Sequence, residues 1–225
     1  MKKAITILLA LVMLFSLAAC GGKKEIEQNA SEEGQTEIGE ARLTTEQLVK
    51  QSTTVTRGQV YKELQENMAR AKETYENNYY TMWLCVGSIG GDYFEDEYSF
   101  CRFKVYLDKN DLLKTNTNTV IQIVGRITSI QMDGDFYVIA IEDARFITDV
   151  YEVNDVYVYT LGNQNKDFTW ASIEDENFDY LKISFDTQKD IPVSITAKGK
   201  ITKTDSLGGY EMTPDDISII TTPQK

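Results

Sequence analysis

The chain has 225 residues, 42% of them hydrophobic, with 23 Lys+Arg against 35 Asp+Glu, three cysteines and no histidine. A net charge of −12 offers no counterion release on a polyanion, which argues against DNA or RNA as the partner. The missing histidine removes the usual general base, the commonest metal ligand and the physiological pH switch together.

Lys2 and Lys3 precede an apolar run over residues 4–17, too short to remain in a bilayer as a spanning helix. The run ends in Leu17-Ala18-Ala19-Cys20-Gly21, which resembles the bacterial lipobox. That resemblance implies cleavage after residue 19, a diacylglycerol on Cys20, and an extracytoplasmic, membrane-anchored protein. Two acyl chains meet the requirement for durable anchoring. With Lys2 and Lys3 gone, 21 basic residues face 35 acidic ones, a net of about −14. Residues 20–45, rich in Glu, Gly and Gln, bury too little apolar surface to order themselves and read as a tether.

Thr44-x-x-Gln47 has the capping-box form and marks a short helical turn. Thr56-x-x-Gln59 repeats it and opens a helix expected over residues 56–78, with Val60, Leu64, Met68, Ala71 and Tyr75 on one stripe. The period then changes to two. Strands are expected over residues 80–91, with a bend at Gly87, and over 98–108, separated by an acidic turn at 92–97. After a polar loop at 110–118 come strands at 120–130, 136–141 and 144–147, the first two joined by a tight turn at Asp133-Gly134-Asp135.

The order recurs downstream without the helix, in strands at 156–162, 180–186, 193–203, 210–213 and 217–220. Gly125 aligns with Gly199, Ile127 with Ile201, Phe136 with Tyr210 and, after a slip of one, Asp143 with Asp216. The strand at 180–186 echoes residues 103–108, and Glu174-Asp175-Glu176 echoes Glu95-Asp96-Glu97. Five short strands per half with a glycine in mid-strand fit a closed Greek-key barrel, repeated once.

Tyr61, Asn67, Ala71 and Tyr75, followed by Val86-Gly87-Ser88-Ile89 and Val124-Gly125-Arg126-Ile127, resemble the tRNA_anti-like family over about residues 58–147. The resemblance implies OB-fold domains and no established activity, so nucleic-acid binding does not follow from the family's name. The expected fold is therefore all-β with one N-terminal helix and two tandem OB-like five-stranded Greek-key barrels. Its divisions are 1–19 leader, 20–45 lipidated tether, 46–148 helix and first barrel, and 149–225 second barrel.

Cys85 and Cys101 stand symmetrically about Tyr93, and a hairpin folded there would oppose them as a disulfide; two buried free thiols are the alternative. The expected ligand face gathers Tyr93, Asp96, Arg102, Lys104, Tyr106 and Arg126. The acidic clusters lack the spacing of a calcium loop, so no metal or other cofactor is expected, and the charges read as solvated edge protection. No Ser-x-x-Lys or Gly-x-Ser-x-Gly signature is present, and no catalytic residue is assigned. The sequence thus points to a non-catalytic lipoprotein held at the membrane through Cys20, binding a protein or envelope component. Capture of a small ligand, glycan or cation on the OB face is the alternative reading, with single-stranded nucleic-acid binding a distant third.

Overall fold

The structure, a computed structural model, describes residues 42–159, 161–162, 169–185, 192–204 and 209–221. The leader, Cys20 and most of the tether lie outside the described residues, as does Gly208, the expected counterpart of Gly134 in the repeat. No described helix is long and apolar enough to cross a membrane.

Both capping boxes form. Thr44 and Gln47 open α1 (Thr45–Gln51), and Thr56 and Gln59 open α2 (Arg57–Tyr75), each Thr accepting from the N3 amide while the Gln accepts from the Thr amide. α2 ends at Tyr75, three residues earlier than its period suggests, and breaks at Asn67 (φ −162°, ψ 95°). There the Asn67 carboxamide accepts from the Arg70 amide, acting as an internal N-cap for the second segment. Val60, Leu64, Ala71 and Tyr75 of the stripe are buried, and Met68 packs beside them half-buried. One further turn of helix, α3 (Lys109–Leu112), falls in the loop expected at 110–118.

Strands dominate the remainder, in two sheets. The first contains β1 (Thr53–Thr54), β2 (Tyr79–Cys85), β3 (Ser88–Ile89), β4 (Tyr93–Tyr98), β5 (Cys101–Leu107), β6 (Val120–Asp133) and β7 (Phe136–Thr148). The second contains β8 (Tyr151–Tyr159), β9 (Leu161–Gly162), β10 (Thr169–Asp175), β11 (Asp179–Phe185), β12 (Pro192–Lys203) and β13 (Tyr210–Thr221). Setting β1 aside, the orders are β2-β6-β7-β5-β4-β3 and β8-β12-β13-β11-β10-β9, identical strand for strand. In both, the last strand of the half runs parallel to its third long strand, β7 to β5 and β13 to β11. The first sheet curls: one stretch of chain pairs with β6 as β2 and, beyond a bend at Gly87, with β4 as β3. A Cβ on Gly87 would stand 3.0 Å from the Glu95 carbonyl oxygen, to which the Gly87 amide donates at 2.8 Å.

The repeated glycines occupy matching places. Gly125 pairs with Tyr80 of β2 and Gly199 with Tyr151 of β8, each beside a register shift against the following strand. Past that point the sequence alignment needs correction. Phe103 pairs with Ile139 and Leu181 with Tyr210, so Tyr210 matches Ile139 rather than Phe136. Val124 faces Arg145 and Lys198 faces Asp216, so Asp216 matches Arg145 rather than Asp143.

Residues 92–97 do not form a turn: Tyr93–Tyr98 is strand β4, and the chain reverses at Ser99-Phe100, with Ser99 at φ 53°. In the second half, Glu174 and Asp175 likewise end strand β10, absent from the sequence expectation. Carboxylates suit β4 because Glu95 and Glu97 face Lys104 and Arg102 across the ladder.

The displaced hairpin also separates the cysteines. Cys101 pairs with Tyr98 and Tyr137, Cys85 with Val120, and both are free, buried thiols in different cores. Burial pushes both thiols up to about 12, Cys85 being raised further by the Asp96 carboxylate. In a Cys20→Ser chain, a thiol reagent at pH 8 is expected to find neither cysteine until denaturant is added, and then both. A disulfide would keep both silent in denaturant. The raised protons also fix a sign: the unfolded chain deprotonates first, so stability falls as pH climbs from about 9 towards 12.

Candidate functional site

The outward face of β4 and β5 carries a group of half-exposed aromatic and charged side chains. Alternation buries Phe94 and Asp96 on one strand and Cys101, Phe103, Val105 and Leu107 on the other, leaving Tyr93, Glu95 and Glu97 opposite Tyr106, Lys104 and Arg102. The Tyr93 and Tyr106 rings stand 5.6 Å apart. Lys104 Nζ lies 4.0 Å from the Tyr93 ring centre and 5.5 Å from that of Tyr106, within cation–π range. A hydrogen bond with the Tyr106 hydroxyl, the largest influence, together with the charge interactions of Tyr106, Tyr93 and Glu95, holds the Lys104 ammonium above its usual range. One pair further along, Arg102 donates to Glu97 at 3.0 Å and lies 5.0 Å over the Phe136 ring. Phe136 continues to Phe100 at 6.2 Å, and Phe100 to Tyr61 of α2 at 6.4 Å. The result is a stripe of rings and cations from Tyr106 to Tyr61.

Four of the six expected ligand residues, Tyr93, Arg102, Lys104 and Tyr106, therefore share one surface. The other two do not. Arg126 lies on β6, where it binds Asp143 at 2.9 Å, a carboxylate that also accepts from the Tyr79 hydroxyl. Asp96 points inward on β4 and is 1% exposed. Its Oδ2 accepts from the Cys85 amide at 3.0 Å and from Arg57 Nη1 at 3.1 Å.

Arg57 is the residue that sequence reasoning missed. It is the first residue of α2, and its guanidinium is wholly buried between the two sheets. Nη1 donates to the Tyr210 hydroxyl at 2.8 Å and Nη2 to the Asn177 carbonyl at 2.7 Å. Tyr98, Tyr210 and Phe178 ring it at 4.9, 5.2 and 5.8 Å. Burial pulls its proton affinity down, but Asp96 and Tyr210 outweigh that and hold the group above its ordinary value. Burial raises the Tyr210 phenol to about 12 against the opposing pull of Arg57. Asp96 offered the available signal: a carboxylate on the inward register of a strand requires a buried cation.

The second acidic cluster is occupied with its own backbone and neighbouring tyrosines. Asp175 accepts from the Tyr151 hydroxyl at 2.7 Å and the Asn177 amide at 2.8 Å, and Asp179 accepts from the Tyr98 hydroxyl at 3.2 Å. Among the described residues no cluster of His, Cys, Asp or Glu is placed to hold a metal ion. The chain matches no protein-family model, and no curated protein or solved structure is similar enough to it to match.

Proposed function

We propose that this chain is an exported bacterial lipoprotein, anchored through Cys20, that serves as a non-catalytic binding module with a protein partner at the cell envelope. Both halves are read as OB-like barrels, a reading supported by their shared strand order and by the parallel pairing of third and fifth long strands. The observation that carries the function is the stripe on β4 and β5. Tyr, Phe and Arg in contact on one half-exposed surface are the side chains that dominate protein interfaces, because they bury large areas at small entropic cost. Lys104 and Arg102 already sit against rings, so a partner meets pre-ordered side chains.

The test places a photo-crosslinking amino acid at residue 104 of the full, lipidated chain in native membranes, with a second at residue 200 on the other sheet. The expected result is a discrete protein adduct from position 104 only, reduced about tenfold by Tyr93→Ala or Arg102→Ala. Adducts of equal strength from both positions, or an adduct indifferent to Tyr93 and Arg102, overturn the reading. Labelling of glycan alone at position 104 would transfer the face to carbohydrate capture.

A further inference from the structure

A second surface, away from the stripe, has a different chemistry. Where β2 and β6 of the first sheet meet β8 and the turn after β10 of the second, a cleft of about 480 Å³ opens. Its volume lies within the range of about 300–1,000 Å³ that small-molecule sites occupy. Trp83 and Gln122 are cross-strand partners on its floor, and the Trp83 ring meets that of Tyr151 edge-on at 4.9 Å and 74°. Tyr151 is fixed in turn, donating to Asp175 and accepting from the Asn177 carboxamide at 3.1 Å. Glu176 stands on the rim, and Glu152 and Lys198 form a 2.7 Å ion pair with both side chains about half exposed. Across that pair a second hollow of about 200 Å³ continues the cleft over β8, β12 and β13.

Three groups here are unspent. The Gln122 carboxamide, the Trp83 indole N–H and the Glu176 carboxylate make no hydrogen bond within the protein among the described residues, although each lines the cleft. Gln122 and Trp83 are half-buried. A ligand that suits such a place must offer both donors and acceptors at close spacing, present an apolar face to the rings, and carry no negative charge. Glu152 and Glu176 against Lys198 leave the cleft net acidic, and the whole chain adds to that field. Adjacent hydroxyls on a ring with a C–H face satisfy all three demands.

We infer that the cleft between the two sheets is a binding site for a neutral oligosaccharide, seated on Trp83 and hydrogen-bonded by Gln122 and Glu176. The open continuation past Glu152 and Lys198 suits a segment of polymer rather than an enclosed monosaccharide. The site is separate from the β4–β5 stripe and does not depend on the function proposed for it.

The full chain in detergent micelles provides the test, with Trp170→Phe leaving Trp83 as the sole tryptophan. Cellotetraose and chitotetraose serve as neutral probes and tetragalacturonate as the anionic one. The expected result is a saturable change in Trp83 emission with at least one neutral probe. Gln122→Ala is expected to weaken that binding about tenfold, while Tyr106→Ala leaves it unchanged. Glu176→Gln, at an exposed turn, keeps the fold and should weaken it severalfold by exchanging a charged acceptor for a neutral one. No saturable change up to about 10 mM of either neutral probe overturns the inference. So does tighter binding of tetragalacturonate, or a loss of binding with Tyr106→Ala that Gln122→Ala does not reproduce.

Discussion

Replacing Arg57 by alanine is expected to cost about 3–5 kcal/mol of stability, the usual penalty for leaving one partner of a buried ion pair alone. The side chain is fully buried, and its loss strands more than the Asp96 carboxylate. The Tyr210 hydroxyl, the Asn177 carbonyl and three aromatic faces lose the same partner at once. The intact pair is nevertheless not an ideal stabiliser, because Arg57 Nε and Asp96 Oδ1 have no partner of their own. Some desolvation is therefore unrepaid, and the pair contributes more to fixing the geometry between sheets than to net stability. A double variant should show this. Arg57→Met with Asp96→Asn removes both charges yet keeps an acceptor for the Cys85 amide, and it is expected to recover at least half of the loss. Urea unfolding followed by tryptophan emission measures all three chains. A single-variant loss below about 1 kcal/mol would place Arg57 at the surface instead, in the range of exposed pairs.

The second half shows why Asp96 was hard to read from the sequence. In matching register, Asp96 faces Phe103 and Ile173 faces Leu181, so the carboxylate occupies a position that the other half fills with isoleucine. The alternation of β5, the α2 stripe and the glycine-marked strands were legible because period alone decides which side chains are buried. β4 and β10 were not. Both contain consecutive acidic residues, which by composition resemble a turn, and only the cross-strand Lys104 and Arg102 make β4 acceptable. Misplacing β4 moved the hairpin axis from Ser99-Phe100 to Tyr93, and that one error generated the expected disulfide. The same reading left Asp96 in a solvated turn, whereas the alternation of β4 directs its side chain into the core. Arg57 lay beyond sequence reasoning for another reason. Its partners Asp96, Asn177 and Tyr210 are up to 153 positions away, and only the packing of one sheet on the other brings them together.

That packing is unequal, which yields the other large effect: the fragment 149–225 is expected to remain unfolded, while 42–148 folds alone. The first core is built wholly from residues between Val55 and Phe146. The second is not self-sufficient. Cys85 and Val120, both from the first half, are among its buried members, and Trp83 packs against it. Excision removes these and exposes the apolar side chains they cover, at roughly 1.5–3 kcal/mol for each large side chain returned to water. It also breaks the main-chain bond from the Lys203 amide to the Asn118 carbonyl and the bridge between Thr119 and Thr202. A domain of about 75 residues is already marginal, so such losses exceed what it holds in reserve. Circular dichroism and amide dispersion on the two fragments give the comparison. The larger should melt cooperatively and the smaller should show no transition, with hydrogen-exchange protection in β12 and β13 returning when the two are mixed. In the full chain, Val120→Ala should loosen β12 and β13 before β6 and β7, since its side chain belongs to the second core although its backbone belongs to the first sheet. A cooperative melt of 149–225 by itself would make the halves independent, and the cleft between them a contact of two finished domains rather than part of a single folded unit.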